Sequence, residues 1–243
     1  GKKPGDAKVA TKWFPLFRGA RSIGLTIEAR LANLEPFPID LHQVHMPLSF
    51  SSIPEQMKAM AALYKAGKIK SIGVSNFSAP AMRLAHAVLA ADGIPLASNQ
   101  VRVSLVHRSI ESKGILKAAR DLGVSLIAYS PLAQGLLTGA FHDDPSRLKK
   151  ISWMRKSYGN LNPRGLERTA PLIAELKAIA AAHGATASQV SLRWILDFYG
   201  DAMLVIPGAT KPAQAAAAAG AMGFSLSEKE ISRLDEISAR LAR

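Results

Sequence analysis

Short apolar runs alternate along this chain with longer stretches in which apolar residues return every third or fourth position. The short runs predict strands at "KVATKW" (8–13), "IDLHQVHM" (39–46), "SIGVSN" (71–76), "LASNQVRV" (96–103), "SLIAYS" (125–130) and "MLVIPG" (203–208). The longer stretches predict helices around 20–34, 54–66, 79–91, 109–121, 169–182 and 187–198, with two more at 211–221 and 228–241. Local signals support these helices. In "SEKE" Ser227 is placed to cap a helix while Glu230 reaches back, and "TASQ" at 186–189 repeats that logic. Gly184 stands where the helix before it should end.

Strands alternating with helices through short loops imply parallel pairing with helices packed outside. A sheet covered in this way is either doubly wound or closed into a barrel. The doubly wound dinucleotide fold carries G-x-G-x-x-G after its first strand, and the chain has no such segment. The pattern therefore predicts an α/β fold of the TIM (β/α)8 type, as a single domain over 1–243. A complete barrel of this kind has eight strands. The pattern supplies only the six runs named above, so two βα units are expected to be missing ahead of the "KVATKW" strand.

Composition narrows the chemistry. There is no cysteine, which excludes disulfides, thiolate metal sites and cysteine nucleophiles and fits a reducing compartment, either cytoplasm or an organellar matrix. Hydrophobic residues make up 48%, enough for a large core. No apolar run is long enough to span a bilayer, and no signal-peptide core opens the chain. The histidines show no metal-ligand spacing, so no metal is expected. The formal charge of +13 points to an anionic partner. Its densest zone is 145–168, where Arg147, Lys149, Lys150, Arg155, Lys156, Arg164 and Arg168 face Glu167 alone. No basic run is interleaved with aromatics, so a nucleic-acid partner is not expected and a phosphorylated cofactor fits better.

In βα barrels the C-terminal ends of the strands line the active site. Here those ends are Lys12, His45, Ser75 with Asn76, Asn99 with Gln100, and Tyr129 with Ser130, followed by the Pro207-Gly208 turn. Polar strand ends often serve only as caps, but a whole series of them argues for a site. The segments "VATKW", "IDLHQVHMP", "IKSIGVSNF", "IPLASNQV", "IAYSPLAQGLLTG" and "VIPGAT" occur in an order that resembles the aldo-keto reductases, over nearly the full chain.

That resemblance implies reduction of aldehydes or ketones to alcohols by NAD(P)H, usually NADPH. It makes Lys12 the catalytic lysine and His45 the residue that donates a hydrogen bond to the substrate oxygen. Period two places His45 on one strand face with Gln43 and Leu41, pointing inward, and His42 on the other. Ser75, Asn76 and Gln100 match positions that hold the nicotinamide carboxamide, and Tyr129 the ring on which it stacks, with Ser130 beside it. Leu132, Gln134 and Leu137 match the grip on pyrophosphate and ribose. Gly208, Ala209, Thr210, Lys211 and Gln214 match the site for adenosine and its 2′-phosphate. The chain departs from the pattern at Ala217 and Ala218, where the family carries an acid and an asparagine for adenine. The basic segment at 147–168 corresponds to a mobile loop.

The resemblance also implies an aspartate and a proton-donor tyrosine ahead of the lysine strand. Neither is in this chain, whose tyrosines are Tyr64, Tyr129, Tyr158 and Tyr199. Loss of a general acid costs about 10² to 10⁴ in rate, so impaired activity is expected. Two explanations follow: an N-terminally truncated reductase, favoured because Lys12 and His45 are retained, or a non-catalytic cofactor-binding, regulatory or structural subunit. In the second, exposed sheet edges would favour an oligomer.

Overall fold

The computed structural model describes residues 3–241. All six expected strands form, each trimmed at its ends. They are β1 (Ala10–Trp13), β2 (Leu41–Val44), β3 (Ile72–Ser75), β4 (Leu96–Arg102), β5 (Ser125–Tyr129) and β6 (Met203–Ile206), ordered in one sheet as they occur in the chain. The pairs β1–β2, β2–β3 and β3–β4 are parallel. Lys12 lies opposite Gln43, and Ser75 opposite Gln100.

The helices are α1 (Arg21–Leu25), α2 (Ile27–Leu34), α3 (Ile53–Lys65), α4 (Ala79–Ala90), α5 (Ser109–Ser112), α6 (Ile115–Leu122), α7 (Ala140–Asp143), α8 (Trp153–Gly159), α9 (Pro163–Ala182), α10 (Ala187–Tyr199), α11 (Pro212–Ala219) and α12 (Glu228–Leu241). Capping boxes close the starts of α3 with Ser52 and Glu55, and of α10 with Thr186 and Gln189. Before α12 the Ser227 and Glu230 side chains exchange the expected hydrogen bonds. Each cap contributes about 1 kcal/mol.

Three expectations change. The helix read at 20–34 breaks at Thr26, and the one at 109–121 breaks at Gly114, whose φ of 67° is left-handed. The segment expected to be a basic mobile loop is largely helical. It contains a 3₁₀ turn at Pro145–Lys150, then α8, then the start of α9, six residues ahead of the expected 169. The cause is local. Ser152 accepts from the Arg155 amide, Asn162 accepts from the Gly165 amide, and Pro163 takes the first helical position, where its missing N–H costs nothing.

The chain forms two compact units. One runs through Val101 and takes in Ile110–Leu126; the other holds Arg102–Ser109 and the chain from Ile127. In the first, Trp13, Ile23, Ile27, Met57, Met60 and Phe77 are fully enclosed. Trp13 alternates with Lys12 along β1, so its ring turns to the helix side, where its Nε1 donates to Ser22 Oγ at 2.9 Å. In the second, Leu172, Leu176, Val190, Trp194 and Leu234 form the centre. Trp194 stacks on Phe198 with centroids 4.5 Å apart. Burying each such side chain contributes about 1.5–3 kcal/mol. Among the described residues no helix is long and apolar enough to cross a membrane.

Candidate active site

In the first unit, alternation along β2 and β4 turns Gln43, Ser98 and Gln100 to one face of the sheet. They meet there because β3 has a glycine between them. A Cβ on Gly73 would stand 2.5 Å from Ser98 Oγ and 2.9 Å from Gln43 Cγ. The bare backbone at this position lets the two polar side chains approach. Period two already places Gln43 on the inward face, but Gly73 is not among the expected residues; a glycine inside a strand is the signal that marks such close approach.

Lys12 reaches this group from β1. Its Nζ donates to Gln100 Oε1 at 2.5 Å, and Gln43 Nε2 approaches the same oxygen at 3.5 Å. Gln43 and Gln100 are almost fully buried, and burial holds the Lys12 pKa below the ordinary lysine value. Gln43 Oε1 and Ser98 Oγ are buried with no hydrogen-bond partner. A protein rarely leaves such atoms unmet, and a polar ligand with N–H or O–H groups would satisfy them.

His45 and Asn76 complete the group. Ser75 Oγ and the Asn76 backbone N–H both donate to the Gln100 carbonyl, each at 2.9 Å. Asn76 sits in the left-handed region at φ 59°, and its Nδ2 donates to the His45 carbonyl at 3.2 Å and to Ser75 Oγ at 3.1 Å. Asparagine tolerates this conformation better than most residues. His45 lies edge-on to Phe14 at 5.5 Å. Burial first, and then the Lys12 charge, lower its pKa, so the ring is neutral near pH 7 and keeps one N–H to donate.

Two neighbours turn out to be structural. His42 is fully enclosed on the opposite face, and its pKa falls to about 4 through burial and then the Arg30 charge. Asn99 faces away from Gln100. Its amide clamps the turn after β3, donating to the Phe77 carbonyl at 3.0 Å and accepting from the Phe77 N–H at 3.4 Å.

The second unit holds the remaining expected residues. Tyr129 ends β5 half-buried, hydrogen-bonded to Tyr158 of α8; burial and then that phenol push its pKa up. The Arg102 guanidinium lies 4.0 Å over the Tyr158 ring and donates to the Tyr158 carbonyl at 2.7 Å. Tyr158 lies in the segment expected to be a loop, and nothing in the local sequence signals this contact.

Beyond Tyr129 the backbone is strained. Ser130, Ala133 and Gln134 all have positive φ, at 52°, 48° and 60°. Non-glycine residues held this way cost about 1–3 kcal/mol each and cluster at functional sites. Gln134 Nε2 donates to Ser130 Oγ at 3.2 Å, while the Gln134 carbonyl accepts from Arg155 Nε at 3.2 Å and Nη2 at 2.8 Å. Leu132 is half-buried. The Leu137 side chain is enclosed, so only its backbone is available to a ligand.

Gly208, Ala209, Thr210, Lys211 and Gln214 are all exposed around the start of α11. Gln214 Oε1 folds back to accept from the Thr210 N–H at 2.7 Å and the Lys211 N–H at 3.2 Å. Its carbonyl is therefore already engaged in closing the helix start, which leaves its NH₂ outward. Among the described residues no group of three or more His, Asp or Glu is placed to hold a metal ion.

Comparison with known proteins agrees with this architecture. The model of the Aldo/keto reductase family matches residues 5–239. The aldo-keto reductase str7 of Strobilurus tenacellus is 36% identical over 214 residues, covering 82% of this chain and 58% of that protein. The aldo-keto reductase YhdN of Bacillus subtilis is 32% identical over 233 residues, covering 92% of this chain and 66% of that protein. The solved structure of the glycerol dehydrogenase AKR11B4 from Gluconobacter oxydans superposes with a TM-score of 0.83 at 29% identity, covering 98% of this chain and 74% of that one. The α/β fold and the order of these strand-end residues match those relatives. It belongs to the aldo/keto reductase family. The chain spans 58% and 66% of the length of these two curated relatives.

Proposed function

We propose that this chain reduces aldehydes or ketones to alcohols with NADPH. On this reading β1 to β6 take the places of the third to eighth strands of the family's barrel. The observation that carries the reading is the Lys12–Gln100 hydrogen bond, which joins the lysine to a carboxamide-binding position, with His45 alongside.

In the first unit Gln100 and Asn76 orient the nicotinamide carboxamide, and the unmet Gln43 Oε1 and Ser98 Oγ fit a polar group arriving there. When bound, the cofactor supplies the hydride that adds to the carbonyl carbon. Lys12 and His45 donate to the carbonyl oxygen and draw electron density toward it. That oxygen then takes a proton, leaving the alcohol. Burial makes the Lys12 ammonium a stronger acid than an exposed lysine, which suits it to deliver that proton. In the second unit Tyr129 supplies a ring face, residues 130–137 supply backbone groups, and the exposed ammonium of Lys211 meets the 2′-phosphate at the start of α11.

A second reading has its own observation. The Lys12 ammonium donates to Gln100 Oε1. Tyr199 is enclosed beside Trp194 and Phe198, and Tyr129 is bonded to Tyr158. A chain so arranged also suits a cofactor-binding subunit without turnover.

Titration with NADPH, followed by quenching of the protein's tryptophan emission, separates the readings. Saturable quenching that Lys211→Ala weakens about 5- to 30-fold, with NADH little affected, is expected. Absence of saturable quenching by a folded sample sinks both readings. Binding without oxidation of NADPH by any aldehyde or ketone supports the second.

A further inference from the structure

Within the second unit α9 and α12 pack side by side, and a cavity of about 550 Å³ opens along their seam. That volume falls in the range of about 300–1,000 Å³ used by sites for small organic ligands. The sequence explains the hollow. Ala174 and Ala178 lie one turn apart on α9 and present only methyl groups. Across from them Ile237 and Leu241 lie one turn apart on α12 and remain half-exposed. Two apolar stripes thus face each other with little side-chain volume between them.

The rim is cationic. Arg168, Arg233 and Arg240 line it against a single lining carboxylate, Glu175. Arg233 takes that carboxylate at 3.4 Å and Glu236 at 3.7 Å. Arg168 donates to the Leu241 carbonyl, a neutral acceptor. Among the described residues Arg240, next in the chain to Leu241, has no carboxylate partner. Two guanidiniums with no carboxylate of their own among the described residues therefore stand at the Leu241 end of an apolar trough.

We propose that this groove binds a small amphipathic carboxylate. Its apolar body lies on Ala174, Ala178 and Ile237, and its head is held by Arg168 and Arg240. A guanidinium fork matches a carboxylate through paired N–H donors, and charge complementarity excludes a cationic amphiphile of equal length. The groove is built wholly from α9 and α12 and shares no residue with the proposed reductase site.

Decanoate is a suitable probe, with decyltrimethylammonium as the cation of equal chain length and acetate as the head alone. Titration calorimetry on the full chain is expected to show saturable one-site binding of decanoate and none of the other two. Arg240→Glu is expected to weaken it about tenfold, and Ala178→Trp to abolish it by filling the trough. Both positions are exposed, and far-ultraviolet circular dichroism checks that each variant folds. No saturable heat, equal binding of the cation, or unchanged affinity in Arg240→Glu overturns the proposal. So does concentration-dependent dimerisation that Ala178→Trp abolishes, because the seam would then be covered by a second copy.

Discussion

Lys12 and Gln100 stand 88 positions apart in the chain, yet the lysine ammonium donates to the glutamine side-chain oxygen at 2.5 Å. The contact holds Lys12 in place within the sheet while burial lowers its pKa. Gln100→Leu should leave the ammonium without its acceptor and lower its pKa further, since a buried charge without a partner is penalised more. Reaction of Lys12 with an amine-selective acylating reagent, mapped by mass spectrometry across pH, measures the change. An unchanged Lys12 profile would show that the hydrogen bond does not set its ionisation. Lys12→Met should abolish any NADPH oxidation while leaving NADPH binding within a few-fold.

Gly73 tests how tightly the polar centre is assembled. In Gly73→Ala the new methyl meets Ser98 Oγ at 2.5 Å, Gln43 Cγ at 2.9 Å and Leu41 Cδ1 at 3.1 Å within a fully buried strand. Overpacking of this kind costs about 1–3 kcal/mol. Urea denaturation should show that loss in the midpoint with little change in slope. NADPH affinity should fall as well, because Gln43 and Ser98 must move aside.

His42 should make the fold sensitive to acid. Its folded pKa is about 4 against an ordinary 6.5, so between those values the unfolded chain binds a proton that the native state refuses. Stability therefore falls as pH drops from 6.5 toward 4, by about 3 kcal/mol at most, and is flat in this group above 6.5. Denaturation across that window, compared with His42→Gln, isolates the contribution. Equal pH slopes for the two proteins would rule it out.

Arg155 ties α8 to the strained loop by forking onto the Gln134 carbonyl. Arg155→Ala should loosen the helix, removing the fork and the guanidinium over the Phe141 ring. Limited chymotrypsin digestion, which reads exposure at Trp153 and Tyr158, should cut there several-fold faster in the variant, because local opening precedes cleavage. The Tyr158–Tyr129 contact should weaken too, bringing the Tyr129 phenol back toward its ordinary pKa in an ultraviolet titration.

Much of this was readable along the chain. Strand positions follow from apolar runs, helix starts from Ser, Thr and Glu at fixed offsets, and the inward face of β2 from alternation. His45 and Gln43 on one side and His42 on the other are consequences of period two alone. The start of α9 was readable as well, since Asn162 before Pro163 is a cap signal; apolar periodicity missed it because Pro171 interrupts the pattern. The break at Gly114 and the one at Thr26 were hidden for the opposite reason, as apolar spacing runs on through both.

What local pattern settled is which residues can face one another: one strand face, one helix stripe, one capped turn. Which of them do so was decided by packing between distant segments. Gly73 matters because Gln43 and Ser98 arrive from the neighbouring strands, and Tyr129 is covered because α8 brings Tyr158 to it. The arginine-rimmed seam exists because α9 and α12 align their smallest and most apolar stripes. Those contacts depend on sheet order and helix docking, which set distances between residues that no short-range rule connects.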